Sequence, residues 1–367
     1  MPKHLRSTVA GFAAGLALTI APLLAAGVAT AADAATPAPN AAVASTPAIA
    51  MPNAAADAQY LVGQFTPAKA AANPGTAADV ILGLAASGSE HTSTTALNAA
   101  LQKAAPSYAK KAGAAAKLAI VAAAMGDSPA NYGGVNLVSV ITSAVSAGHG
   151  NLGDPFTQSL AIVALHRAGV AVPASMVSAL LADQNASGAF GWVSGSTFSP
   201  DPDTTGLAIM ALADLNTPAG QTAVTKAVTW ATQHRTADGY WTSYGPSNTA
   251  GYLGSAVQAQ GVDLSATISW LKGQQAKAGG AGLPASLNGT KPDVMATAQG
   301  LLLLGGVSLN TVSLQQAMPS ASASASPVAT ATNGGGGTTA IVVIIAVIAA
   351  AAAVLLIGRG RGWFKRA

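Results

Sequence analysis

Two carboxylates one residue apart stand ahead of an apolar run, in Asp201-Pro202-Asp203-Thr204-Thr205. An acid in that place has two uses. It can cap the helix that follows by accepting backbone N–H bonds that the first turn cannot otherwise satisfy, or it can act as a proton donor. The cap recurs along the chain: Asp154 precedes one such run, and Asn248 and Asp293 follow Asp203 at steps of 45 ahead of two more. A recurring cap therefore accounts for Asp203 by structure alone, while Asp203 and Asp201 stand as the candidates for catalysis. The aromatic residues crowd into two successive loops, Phe190, Trp192 and Phe198 in the first, then Tyr240, Trp241 and Tyr244 beside Asp238 in the second. Aromatic faces next to carboxylates suit a hydrophobic, glycan or cationic ligand, so these seven residues are the candidate ligand-binding set.

Other chemistries drop out. The chain has no cysteine, which excludes disulfides, thiolate zinc ligands, thioesters and Cys nucleophiles. His166 and His234 sit at helix ends beside Arg167 and Arg235, where positive charge meets the negative end of a helix dipole. No His/Asp spacing makes a metal set, no Gly-rich phosphate loop follows a strand, and no Ser/His/Asp motif stands out, so no metal and no cofactor is expected.

The elements that would position these residues repeat. Leu160-Ala161-Ile162-Val163-Ala164-Leu165 returns as Leu207-Ala208-Ile209-Met210-Ala211-Leu212, with Leu118–Ala123 before it, Tyr252–Val257 and Ala298–Leu302 after it, and Val80–Leu84 as a weaker first member. These make six units of roughly 40 to 47 residues, a period that means solenoids or rings of helix pairs. Apolar spacing, Gly/Pro breaks and caps predict helices over 57–65, 76–86, 94–105, 112–125, 135–147, 155–168, 173–183, 204–215, 218–234, 249–260, 264–275 and 294–304. A further helix is expected over 309–317, packing back against the start. No alternating run competes as a strand. Helices near 76, 114, 158, 205, 250 and 297 are Ala/Gly/Leu-rich and almost uncharged, as expected for helices buried on several sides. The others carry Lys103, Asp183, Lys226, Arg235 and Lys272 and so present one wet face. The expected fold is all-α, an (α/α)6 arrangement of inner and outer helices, either a closed ring or an open superhelix. In a ring, loops of one parity emerge at one end, which would gather the aromatics with Asp201, Asp203 and Asp238 around one mouth.

The ends carry topology. Residues 1–31 read as a secretory signal, with Lys3, His4 and Arg6 ahead of an apolar run and small residues at 29–31 for cleavage. An Ala/Pro linker covers 32–56, the repeat domain 57–317 and a flexible stalk 318–338. Residues 339–358 are apolar and long enough to cross a bilayer, and the basic residues of the tail, 359–367, mark the cytoplasmic side. Six of the 17 basic residues lie at these ends, and the remainder are outnumbered by the 13 acids. The formal charge of +4 is thus a property of topology, and nucleic acid is not an expected partner. The body is expected outside the cytoplasm, held by a single membrane pass.

One stretch carries a family resemblance. Gln233–Trp241, QHRTADGYW, resembles the Gln…Gly-x-Trp repeat motif of the terpenoid cyclase and protein prenyltransferase α/α-toroid superfamily, with its prenyltransferase and squalene-oxidase repeats. Gln184 with Gly188 and Phe190 is a degenerate copy, and Trp270–Gln275 keeps the aromatic-aliphatic lead without the final Trp. The resemblance spans about 57–317. It implies a toroid, and it implies that Trp241 packs between outer helices while Trp192, Phe198 and Tyr244 are left for binding. Asp203 would match the central acid of the DxDD(T) motif of class II terpene cyclases. Thr204 stands where the next Asp should be, and a lost neighbour weakens the means of keeping the acid protonated. The superfamily also holds binding proteins. The expectation is a membrane-anchored surface module that binds a small or hydrophobic ligand or an envelope partner without catalysis. The alternatives are a terpene cyclase- or prenyltransferase-like enzyme with Asp203 as acid, and a cobalamin-binder-like protein.

Overall fold

A computed structural model of the protein describes residues 54–314. These are mostly helical, with one two-stranded hairpin. The helices are α1 (Ala54–Gln64), α2 (Pro67–Ala72), α3 (Pro74–Ser87), α4 (His91–Tyr108), α5 (Ala112–Met125), α6 (Leu137–Ala147), α7 (Pro155–Arg167) and α8 (Ala174–Ala182). After the hairpin β1 (Gly191–Ser194) and β2 (Thr197–Pro200) come α9 (Pro202–Ala213), α10 (Pro218–Gln233), α11 (Pro246–Thr249), a π-helical turn (Ala250–Gly254), α12 (Ser255–Ala259), α13 (Ser265–Lys277) and α14 (Val294–Leu304). Among the described residues no helix is long and apolar enough to cross a membrane. The expected signal segment, stalk and anchor lie outside the described residues.

Local chemistry explains the helix ends. Asp154, Asp201 and Asp293 accept the N–H of Thr157, Thr204 and Ala296 at 2.7, 2.6 and 2.8 Å and so cap α7, α9 and α14. Pro155 and Pro202 follow at the first helical position, where a missing N–H costs nothing. Gly88 and Gly126 end α3 and α5 in the left-handed conformation that closes a helix. Between these ends α5 is more than half alanine, the strongest helix former.

Two classes of helix result. In α3, α9 and α14 the buried residues run without a break over Ala77–Ser87, Thr204–Leu212 and Ala296–Leu304. By contrast α6 buries a single stripe, Leu137, Ile141 and Val145, one helical turn apart. The fully buried helices touch in succession: α3 to α5, α5 to α7, α7 to α9, α9 to the π turn, the π turn to α14, and α14 back to α3. Small residues bring their backbones together. A Cβ on Gly83 would come within 2.4 Å of the Ala298 carbonyl, and one on Gly206 within 2.6 Å of Leu253 Cα. The half-wet helices α4, α6 and α10 pack on α3, α5 and α9, α8 packs on α7, and α1 packs on α14 and α3.

Gln side chains tie the outer helices in sequence. Gln184 donates to Gly188 O and to Ala223 O on α10, and Gln275 of α13 donates to Asp57 of α1 at 2.6 Å. Gly188 and Gly239 hold φ near +97° (98° and 96°), which lets each loop press its backbone against the next outer helix at Lys226 and Ala266.

Four expectations are corrected here. α1 begins at Ala54, inside the expected linker, because Ala54–Ala56 extend it. α4 runs through Pro106 to Tyr108, close enough to its end that the missing N–H disturbs little. The hairpin was not expected: Trp192 pairs with Ser199 and Val193 with Phe198 around Gly195, whose φ of 61° suits a two-residue turn. The segment after α14 is not helical through Leu314. It crosses the C-terminal ends of three buried helices. Asn310 donates to Met210 O at 2.8 Å, Leu314 N to Ala124 O at 2.9 Å, and Arg167 donates to the carbonyls of Leu309 and Val312. Helix C-termini carry unsatisfied carbonyls, and this strap supplies donors to those of α9 and α5, while at α7 its own carbonyls accept from Arg167. Burial lowers the Arg167 guanidinium to about 10.

Candidate functional site

The strap covers the C-terminal ends of the buried helices, and Asp201 and Asp203 stand at the opposite end, in the first turn of α9. A shared module positions that turn. In α9, Thr205 Oγ1 donates to Asp201 O at 2.8 Å and receives Phe190 N at 3.0 Å, pinning the incoming loop. In α14, Thr297 does the same with Asp293 O at 2.6 Å and Leu283 N at 2.8 Å. The α11 copy differs. Gly245 replaces the capping Asp, and Thr249, at the matching position, sends its hydroxyl to Asp203 Oδ1 at 2.6 Å.

Asp203 is therefore not a cap. Asp201 fills that role, which leaves the Asp203 carboxylate free of the helix backbone. The equivalent positions ahead of α9, α11 and α14 are Asp201, Gly245 and Asp293, so the equal steps of 45 from Asp203 to Asn248 and Asp293 do not follow the caps. Asn248 lies inside α11 and donates to Gln299 Oε1 at 2.9 Å. Ser243 Oγ lies 2.8 Å from Thr249 Oγ1. Thr249 Oγ1 is placed to donate to either oxygen, and the carboxylate is the stronger acceptor. Burial pushes the Asp203 carboxyl up to about 6, against the downward pull of the Thr249 bond and with a smaller push from Asp201.

The carboxylate borders a cavity of about 420 Å³, walled by Pro200–Asp203 on the α9 side and Thr242–Gly245 on the other. Tyr244 stands at its edge, fully exposed at 106%. No Lys, Arg or His lines it.

A second polar group lies deeper in the buried helices. Lys117 Nζ of α5 meets Asp79 Oδ2 of α3 at 2.8 Å, and Tyr252 donates to Asp79 Oδ1 at 3.1 Å. Gln299 Nε2 donates to the Tyr252 oxygen at 3.2 Å, and Asn248 completes the chain. Tyr252 sits in the π turn, a distortion often found where a helix must present one side chain. Burial and the Asp79 charge push its hydroxyl well above the usual phenol range. The sequence reading treated these helices as almost uncharged. The available signal was one charge in each of two apolar runs, Asp79 in α3 and Lys117 in α5.

The expected gathering of aromatics around one mouth is corrected. Phe190 and Trp241 are buried at 0% and 1%, in the core. Trp241 Nε1 donates to Ala231 O at 2.7 Å, and Tyr240 stacks on Trp270 with ring centres 5.3 Å apart. Trp192 and Phe198 lie on the hairpin, exposed and half-buried, and Asp238 is exposed in its loop. Only Tyr244, Asp201 and Asp203 of the candidates border the cavity. His166 lies 3.7 Å from Asp214, and His234 stacks on Trp230 at 4.6 Å. Among the described residues no three His, Cys, Asp or Glu side chains come together as a metal site. No family model matches the chain, and no curated protein shows significant similarity to it.

Proposed function

We propose that the repeat domain is a closed (α/α)6 toroid of the terpenoid cyclase and prenyltransferase kind, held at the cell surface by the C-terminal apolar segment after loss of the signal segment. Its uncovered mouth, the cavity beside Asp203, binds a small ligand without chemical change. The ring is supported by the succession of buried helices that returns from α14 to α3. The binding role is carried by one observation: a carboxylate withdrawn from water, bonded only to a neutral hydroxyl, borders a cavity of ligand size.

The enzymatic alternative needs more than an acid. Protonating an alkene calls for a dry apolar cavity and a partner that keeps the acid charged with its proton. Here Thr204 replaces the second carboxyl, and Ser243, Thr242 and the open rim offer the proton to hydroxyls and water. A cavity of this volume also leaves a corrin ring outside, which disfavours the cobalamin-like alternative. The test is native mass spectrometry of the full chain purified from its own host, beside the Asp203→Asn variant. A retained mass that the variant loses supports the reading. Turnover of an isoprenoid diphosphate or squalene-like substrate that depends on Asp203 would replace it with the enzymatic one.

A further inference from the structure

We propose that the ligand of the Asp203 cavity is a small organic monocation, an ammonium group on an apolar body. This rests on the binding role argued above and names its chemistry. Two carboxylates and no Lys, Arg or His line the cavity. Asp201 spends Oδ1 on Thr204 N and Asp203 spends Oδ1 on Thr249, and among the described residues the second oxygen of each meets no donor.

Charge makes the choice sharper. Among the described residues neither carboxylate has a cationic partner, whereas Asp79 is paired with Lys117. The positive end of α9 is already answered by the Asp201 cap. Asp203 is then a surplus negative charge in a poorly solvated place, and an incoming cation offsets that cost. An anion would meet two carboxylates, and a plain hydrocarbon would strip water from them with nothing in return. A neutral sugar brings no charge to set against the two carboxylates. Tyr244 completes the site, since an exposed ring at the rim offers its negative face to an ammonium group.

The test is a ligand-observed NMR titration of the full chain in detergent at neutral pH, with four probes: n-butylammonium, tetramethylammonium, the neutral isostere n-pentanol, and methyl β-glucoside. The expected result is binding of both ammonium probes, about tenfold or more tighter than pentanol or the glucoside. Asp203→Asn, which keeps the shape and the Thr249 bond, should weaken ammonium binding by about tenfold. Tyr244→Ala, on a fully exposed side chain that folding does not need, should weaken tetramethylammonium by ~3-fold. Pentanol or glucoside binding as tightly as the ammonium probes, and lost with Tyr244→Ala, overturns the cation and keeps the binding mouth. Ammonium binding indifferent to Asp203→Asn also overturns the cation site. Absence of binding by all four probes overturns both the cation and the mouth.

Discussion

Asp79 and Asp203 both leave bulk water on helices of the same buried set, yet their surroundings are opposite. Asp79 is saturated: Lys117 neutralises it and Tyr252 donates to its other oxygen. Asp203 has one neutral hydroxyl, a second carboxylate nearby and a cavity in front. The same residue type therefore holds helices together in one place and waits for a partner in the other. What separates them is the counter-charge, not burial.

The largest expected effect comes from making Asp79 resemble Asp203. Lys117→Met removes the counter-charge and leaves a carboxylate that is only 2% exposed. We expect a loss of about 3 kcal/mol or more in denaturant unfolding, with much of it recovered in the Lys117→Met/Asp79→Asn double variant, which buries no charge. A loss under about 1 kcal/mol in the single variant would place the pair with exposed salt bridges and end the contrast.

The converse change, Asp203→Asn, should stabilise the protein at neutral pH, by at most about 3 kcal/mol. The sign follows from the carboxyl's rise from 3.8 to about 6 on folding. Between those values the folded state holds more protons than the unfolded state, so stability is greatest in acid and falls as pH rises through about 6. Asp57 and Asp183 are also raised by burial and tilt the profile the same way. The quantity to read is therefore the difference between wild type and variant across pH 4 to 7. A flat difference would mean that Asp203 is solvated like any surface acid.

Much of the scaffold was legible in the sequence. The ranges 112–125 and 294–304 are read correctly to the residue, because alanine and leucine runs bounded by Gly126, Asp293 and Gly305 state both ends of a helix. The hairpin was missed because its four-residue strands carry little alternation, and Asp203 looked like a cap because the true cap positions, Asp201, Gly245 and Asp293, are unevenly spaced. Asp201 and Asp203 were legible as candidates. The pairing that distinguishes Asp79 was not: Lys117 is 38 residues away and Tyr252 is 173. Only the packing of α3, α5 and the π turn brings them together, and no local pattern encodes a partner at such distances.

The threonines extend the contrast at smaller scale. Thr297→Val leaves the buried Leu283 N–H without its acceptor, at a cost of about 1–3 kcal/mol. Thr249→Val removes the donor that pulls the Asp203 carboxyl down, so the pH at which stability falls should move upward. Equal thermal losses with an unmoved pH profile would make both threonines plain structural pins.

The smallest effects separate the aromatics, which composition alone places in one group. Trp241 is buried and its indole N–H holds Ala231 O at 2.7 Å, next to the end of α10. Trp241→Phe keeps most of the apolar bulk and loses that bond, so about 1 kcal/mol or somewhat more should go. Tyr244→Ala, three residues on, removes a ring that touches water on all sides and should change stability by less than ~0.5 kcal/mol. A comparable loss in both variants would mean that Tyr244 folds down onto the wall in solution. The cavity would then lack its aromatic rim, and Asp203 would face a ligand with only Asp201 and Ser243 beside it.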